Sequence, residues 1–125
     1  MITMKKNSEK IIKSLILELN LSENEALVFL YIAENGKSTV RKMSTDLRIN
    51  EECVISSIRT LVDHGMLFNV TGTEYETFHP RFSIVNGHRF KCDLLGVPFK
   101  KNIKIDLLGA MLEAHYEDAR TKYGT

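Results

Sequence analysis

"NEECVISSIRTLVDHGMLFNV", residues 50–70, decides the fold of this 125-residue chain. The stretch predicts a helix that starts after Asn50, a preferred N-cap residue, and stops at Gly65. A short strand-like segment, residues 66–70, follows at once. A helix that leads directly into a strand is typical of a winged helix, in which the helix reads DNA and a β-hairpin forms the wing. The helix opens with two glutamates, however, and the hairpin region, residues 66–80, contains no Lys or Arg.

The segment before this helix predicts a central buried helix. Ser22 and Glu25 have the spacing of a capping box, and Asn35 with Gly36 supplies a helix stop. Between them, residues 26–33 are apolar on all sides. A helix that is hydrophobic all round is expected in the core of the domain.

A short third helix is predicted next, capped by Ser38 or Thr39. Its apolar face combines Val40, Met43 and Leu47. A tight connection at residues 48–50 joins it to the fourth helix. Two short helices joined in this way form a helix-turn-helix. Residues 66–70 and 75–80 are expected to be the strands of the wing, around a turn at residues 71–74.

The fourth helix presents a small polar face if Ile58 is taken as the centre of its buried side. Steps of about 100° per residue then place Val54, Ile55, Leu61 and Val62 near that centre. Side chains on the opposite side can reach base edges, because Ser and Thr bond either base type, Arg bonds guanine and a carboxylate accepts from cytosine. The candidate base-reading residues are Glu52, Ser56, Ser57, Arg59 and Thr60.

The net charge of +1 hides an uneven distribution. Residues 21–80 hold five basic and nine acidic side chains, whereas residues 81–104 hold six basic and one acidic. A basic block suits DNA phosphates, although most charge runs are simply solvated surface. The candidate phosphate-contacting residues are Arg41 and Lys42 on the third helix, and Lys100, Lys101 and Lys104 after the wing.

Residues 81–95 allow two interpretations. Asn86 and Gly87 stand between two apolar-containing runs, which is a strong hairpin signal. The register of such a hairpin, however, leaves neither face cleanly apolar. A helix opened by Pro80 and closed near Gly96 is the alternative that we favour.

Additional helices are expected at both ends of the chain, at about 8–19 and 102–119. Asn102 can cap the second of them. Their apolar stripes exceed what one small core obviously needs, so we expect them to form a homodimer. These stripes comprise Ile12, Leu15, Ile16 and Leu19 in the first helix, and Leu108, Met111 and Leu112 in the last.

Other classes of protein are disfavoured by the sequence. No apolar run is long enough to span a membrane, no signal peptide is recognised, and two separated cysteines indicate a reducing cytoplasm. His88 and Cys92 have a metal-binding spacing in a helix, but no second pair completes a site, so no metal or cofactor is expected. No nucleophile-plus-base motif or phosphate loop points to an enzyme. Cys53 is expected to be a quiet thiol rather than a redox switch.

Residues 19–80 resemble the N-terminal winged helix of the TrmB-like transcriptional regulators, which are found mostly in archaea. The resemblance rests on the opening "LNLSENEA", the short third helix, the pattern "VISSIRTLVDHGML" and the aromatic second wing strand. MarR-like winged helices share much of this pattern. The resemblance implies a sequence-specific DNA-binding regulator, generally dimeric, and it also favours a helix at residues 81–95. The chain departs from the family pattern in two ways. Its wing is acidic, and its length is too short for the sugar-binding effector domain of longer members.

The expected architecture is therefore a single, mainly α domain over residues 1–125. It is a winged helix-turn-helix with a small β-hairpin, a core at about 21–80 and additional N- and C-terminal helices. The expected function is a transcriptional regulator that binds double-stranded DNA through a recognition helix at about 51–64. The alternative is a winged-helix module for protein–protein interaction that does not bind DNA, which the acidic wing favours.

Overall fold

The computed structural model describes residues 8–122 and shows a mainly α winged helix-turn-helix, as the sequence predicts. The elements, in chain order, are α1 (Ser8–Leu19), α2 (Glu23–Asn35), β1 (Ser38–Thr39), α3 (Val40–Leu47), α4 (Glu51–Asp63), β2 (Leu67–Asn69), β3 (Glu74–Thr77), α5 (Pro80–Leu95) and α6 (Ile103–Lys122).

Helix α2 is the centre of the molecule. The Ser22 side chain accepts a hydrogen bond from the Glu25 N–H at 3.1 Å, and the Glu25 carboxylate accepts from the Ser22 N–H at 2.9 Å. This confirms the predicted capping box, which satisfies two N–H groups that the helix itself cannot pair. Helices α1, α3, α4 and α6 and strand β3 all pack against α2. Its apolar residues 26–33 are therefore almost completely buried, with Leu27 alone partly exposed.

A three-stranded antiparallel sheet carries the wing, in the order β1-β3-β2. Leu67 pairs with Thr77, and Asn69 pairs with Tyr75, which confirms the predicted hairpin. Strand β1 pairs Ser38 with Tyr75 and was not predicted. Two residues are too few to show a strand periodicity, so β1 exists only because β3 offers it a partner edge.

Helix α5 settles the question raised by Asn86 and Gly87. Pro80 occupies the first turn of the helix, and Gly96 ends it with φ +69°. The Asn86 side-chain amide donates to the Gly65 carbonyl at 2.8 Å, so the pair serves helix packing rather than a turn. The favoured helix is confirmed over residues 80–95, and the hairpin alternative is wrong.

The two end helices pack on the core of their own chain. Leu15 and Leu112 are fully buried, and Leu108 is nearly so. Helix α6 contacts α1, α2 and α5, and the Glu34 carboxylate on α2 accepts a hydrogen bond from Ser8 and lies 2.7 Å from His115 Nδ1. The premise that these stripes are surplus was therefore wrong, because the chain uses them itself. Within residues 8–122, no helix combines the length and the apolar character needed to cross a membrane.

Candidate nucleic-acid interface

Short polar contacts fix α3 and α4 relative to each other. The Asn50 side chain accepts from the Cys53 N–H at 2.8 Å and caps α4, as predicted. In the connection, Arg48 adopts a left-handed conformation with φ +57°, and the Ser44 hydroxyl donates to the Ile49 carbonyl at 2.6 Å. These contacts close the turn of the helix-turn-helix and set the direction in which α4 leaves it.

A hydrogen bond also ties α3 to the central helix. The Tyr31 hydroxyl donates to the Asp46 carboxylate at 2.5 Å. This bond is the main reason that the pKa of Asp46 lies below its ordinary value, and the neighbouring Lys42 ammonium adds to the effect. Asp46 is therefore charged in the folded protein at neutral pH, and its hydrogen bond with Tyr31 holds α3 against α2.

Helix α4 is rotated relative to the prediction. Its buried residues are Val54, Ser57, Ile58 and Leu61, so the centre of the buried side lies about 50° from Ile58. Ser57 is only 4% exposed, and its assignment as a base-reading residue is therefore wrong. The physical reason is that α4 packs along a 54/57/58/61 stripe, where the small Ser57 side chain fits beside its neighbours.

The rotation brings two apolar side chains to the surface of α4. Ile55 and Val62 are 38% and 40% exposed, so the expectation that both are buried is also wrong. Glu52, Ser56 and Arg59 are exposed on the same side of the helix, as predicted. This surface combines carboxylate, hydroxyl, guanidinium and methyl groups, each of which has a matching group in the major groove. Ile55 was missed because an apolar residue at helical spacing normally indicates core.

Thr60 lies at the margin of this surface. It is half-buried and lines a small cleft together with Asn20, His64 and Phe90, where α4 meets α5. The structure thus brings Glu52, Ser56 and Arg59 together and leaves Thr60 on the side that faces α5.

Helix α3 and the turn after it supply positive charge beside α4. Arg41 and Lys42 are exposed, as predicted. Lys42 forms an ion pair with Asp46 at 3.5 Å, which is solvent-exposed and therefore weak. Arg48, exposed in the turn between α3 and α4, adds a third cation that was not predicted from the sequence. In the sequence, only the position of Arg48 in the tight turn pointed to this exposed cation.

The wing is less acidic than its sequence implies. Glu76 is bound by Arg120, which reaches it from α6 and also donates to the Ala33 carbonyl at 2.9 Å. Glu74 accepts from the Thr71 hydroxyl at 3.1 Å, and Asn69 accepts from the Gly72 N–H at 2.8 Å. The exposed tip, residues 70–73, carries no charge. The wing therefore keeps one carboxylate, Glu74, beside its uncharged tip, and the tip offers phosphate no cation.

The three predicted lysines lie after α5 rather than beside α4. Lys100, Lys101 and Lys104 are all exposed. The Lys100 carbonyl is 3.3 Å from the His88 Nε2, which places this segment about 12 Å along α5 from its start. Lys104 belongs to the first turn of α6, where its N–H donates to Asn102. Helix α4 packs on α2, α3 and β2 instead, so the lysines form a separate basic surface.

The cysteines and histidines of this region form no recognisable metal centre. Cys92 Sγ lies 3.8 Å from His88 Nε2, and within residues 8–122 no three His, Cys, Asp or Glu side chains converge. Cys53 is half-buried in the first turn of α4.

A comparison with protein-family models matches residues 15–83 to the family described as "Sugar-specific transcriptional regulator TrmB". The chain belongs to the TrmB family. The resemblance recognised in the sequence is thereby confirmed. Comparisons with curated proteins and with solved structures give no significant match. The matched segment contains α2, α3, α4 and the wing and ends inside α5.

Membership of the TrmB family makes the chain a DNA-binding transcriptional regulator. The family is non-enzymatic. Its description as sugar-specific applies to the family model, and the residues matched here are those of the winged helix.

Proposed function

We propose that this TrmB-family chain reads duplex DNA with α4 in the major groove. The observation that carries the proposal is the exposed α4 side with Glu52, Ile55, Ser56 and Arg59, on a helix that packs against α3. Arg59 suits a guanine edge, Ser56 suits either base type, and Ile55 suits a thymine methyl group. Glu52 suits a cytosine amino group.

Phosphate contacts come first from Arg41, Lys42 and Arg48 in this proposal. These side chains are exposed on α3 and in the turn that leads to α4, and Lys42 can exchange its exposed partner Asp46 for a phosphate at little cost. The surface of Lys100, Lys101 and Lys104 is the second source. It is separate from α4, and we assign it to phosphates outside the bases that α4 reads.

Substitution of the reading side tests the proposal. A cognate site is first selected from a random DNA pool. Ser56→Ala and Arg59→Ala should leave the melting temperature nearly unchanged, because both side chains are exposed. Each should weaken cognate binding by about 1–3 kcal/mol and random binding by less, since base contacts carry the sequence information.

The matched control is Lys13→Ala, an exposed position on α1. It should leave the ratio of cognate to random binding at the wild-type value. Equal losses on cognate and random DNA for both α4 variants would show that this side of α4 does not read bases.

We further propose that the protein acts as a homodimer, through a surface different from the one expected at first. The tip of the α5–α6 hairpin exposes a group of large apolar side chains that the chain's own core does not cover, and Leu17 on α1 is exposed as well. A two-fold pairing would give two reading helices for a near-palindromic site. The exposed side chains assigned to this pairing are Leu94, Ile103 and Leu107.

Light scattering at tens of micromolar tests this assembly. A dimer mass that falls to the monomer mass in Leu94→Ser together with Leu107→Ser is the expected result. A monomer mass for the wild type would refute it.

A protein–protein module is the second candidate, and the surface of α4 supplies the observation that favours it. Ile55 and Val62 are exposed beside Glu51, Glu52 and Asp63, a combination that suits a basic partner with apolar contacts. Binding to random duplex separates the two functions. A DNA-binding protein shows a steep dependence of log K on log salt, whereas a protein that binds only a basic partner shows no duplex binding at all.

A further inference from the structure

An open cleft of about 300 Å³ lies between the second half of α5 and the segment that leads to α6. Two contacts hold this segment against α5. The Lys100 carbonyl lies 3.3 Å from His88 Nε2, and the Phe99 ring packs 5.3 Å from the His88 ring and 4.5 Å from the Arg89 guanidinium. The cleft is therefore framed by fixed backbone. It is lined by His88, Lys91, Cys92, Leu95, Val97, Pro98, Lys100, Lys101 and Asn102.

The lining includes Lys91, Lys100 and Lys101 and no Asp or Glu residue. Lys91 donates to the Glu18 carbonyl at 2.9 Å, which holds its ammonium at the C-terminal end of α1, at the edge of the cleft. Lys100 and Lys101 are exposed, and no ion pair with another described residue involves either of them. The like charges of Lys100 and Lys101 repel each other unless an anion lies between them. The cleft is thus electrostatically matched to an anion.

One wall of the cleft is apolar, formed by Leu95, Val97 and Pro98. All three side chains are exposed to solvent. A concave site that combines a charged end with an apolar wall favours a ligand with the same two parts. At roughly 30 Å³ per water-sized group, the volume suits a ligand on the order of ten non-hydrogen atoms.

We propose that this cleft binds a small organic phosphate monoester. Its dianionic group lies between Lys100 and Lys101, and its organic part lies against Val97 and Pro98. The ligand would occupy two of the lysines proposed above for the DNA backbone, so it would compete with DNA at that surface. This consequence rests on the proposed function, whereas ligand binding itself does not.

The test uses the full chain without DNA and phenyl phosphate as the probe. Binding is followed by isothermal titration calorimetry and by backbone amide chemical shifts. Phenyl phosphate should bind saturably and shift amides of residues 88–102. Inorganic phosphate should bind more weakly, because it leaves the apolar wall uncovered, and phenol should not bind.

Two double variants with the same change of charge separate the cleft from general electrostatics. Lys100→Gln together with Lys101→Gln should weaken phenyl phosphate binding about tenfold, as expected when two exposed ion pairs are removed. Lys10→Gln together with Lys13→Gln, both exposed on α1, should leave it unchanged. Val97→Ser should weaken phenyl phosphate and spare inorganic phosphate.

Absence of saturable binding, or equal weakening by the two double variants, would overturn the proposal. The lysines could instead stabilise the C-terminal end of α5, where cations complement the helix dipole. That role predicts a lower melting temperature for the Lys100/Lys101 variant and no phenyl phosphate binding by the wild type. This result would also overturn the proposed ligand site. Weaker DNA binding by this variant, without ligand binding by the wild type, would make the lysines backbone contacts only. Ligand binding by a protein that does not bind DNA supports the cleft and refutes the proposed function alone.

Discussion

The same substitution, Gly→Ala, should have opposite effects in α5 and α6. In both helices alanine gains about 0.5–1 kcal/mol over glycine in an interior position, because glycine loses more backbone freedom on folding. The surroundings decide the sign. A methyl group on Gly87 would lie 2.8 Å from Met66 Sδ and 3.3 Å from Leu19 Cδ1. A methyl group on Gly109 would meet Arg81 at 3.5 Å, an ordinary contact distance.

Met66 cannot simply move aside, because it is fully buried, and Leu19 is 1% exposed. Overpacking of this kind costs about 1–3 kcal/mol, so the loss at Gly87 outweighs the gain in helix propensity. We expect Gly87→Ala to lower the free energy of unfolding by about 0–2.5 kcal/mol. Gly109→Ala should raise it by about 0.5–1 kcal/mol, since nothing opposes the gain in helix propensity.

Urea unfolding monitored by circular dichroism measures both values. The cause of the loss at Gly87 can be isolated in a Met66→Val background, where the Sδ atom is absent. There the penalty of Gly87→Ala should shrink or change sign, giving a coupling of about 1–2 kcal/mol between the two positions. A Gly87→Ala variant more stable than wild type, or a penalty that Met66→Val leaves unchanged, would refute the close packing of α5 on Met66.

Two further predictions concern charge. The His64 ring stacks on Phe90 with 3.9 Å between ring centroids, and burial lowers the pKa of His64. The folded state therefore binds fewer protons than the unfolded state, and stability should fall as the pH drops below about 6.5. His64→Phe should flatten the melting temperature between pH 7.5 and 5.5 relative to wild type, and identical pH profiles would rule out a part for His64. A variant with alanine at Lys100, Lys101 and Lys104 should flatten the slope of log K against log salt on random DNA by about 0.9 for each phosphate that these lysines neutralise. An unchanged slope in the folded variant would show that the three lysines are only solvated surface.

Local signals in the sequence were sufficient for the helix boundaries. Ser22 with Glu25, Asn50 and Gly96 each act within one turn of chain, so their side chains or conformations define helix ends wherever the helix is packed. Pro80 at the start and Gly96 at the end likewise outweighed the hairpin signal of the Asn-Gly pair. That pair mimics a turn because a close contact between helices also requires a residue without a side chain.

Features that depend on a partner element could not be predicted in the same way. The apolar residues of α4 cover a wide arc, and periodicity alone cannot tell which side of it meets α2. The sequence therefore predicted Ile55 in the core and Ser57 on the surface, whereas the structure exposes Ile55 and buries Ser57. Strand β1 has only two residues and depends on β3. The stripes of α1 and α6 were correctly identified as apolar, but only the packing shows that they cover each other and α2.

The glutamates at the start of α4 affect how DNA can lie on this surface. A helix N-terminus normally attracts phosphate through its unpaired N–H groups and its dipole. Here the Asn50 side chain accepts from the Cys53 N–H, and Glu51 and Glu52 add two negative charges in the first turn. The end of α4 therefore repels the backbone. The cations that can attract it lie on α3 and in the turn after it, chiefly Arg41 and Arg48. Because the wing tip on the other side offers no cation, we expect the strongest backbone contacts on the α3 side of the groove. The duplex would then lie closer to α3 than to the wing, and Ile55 and Arg59 would face its bases.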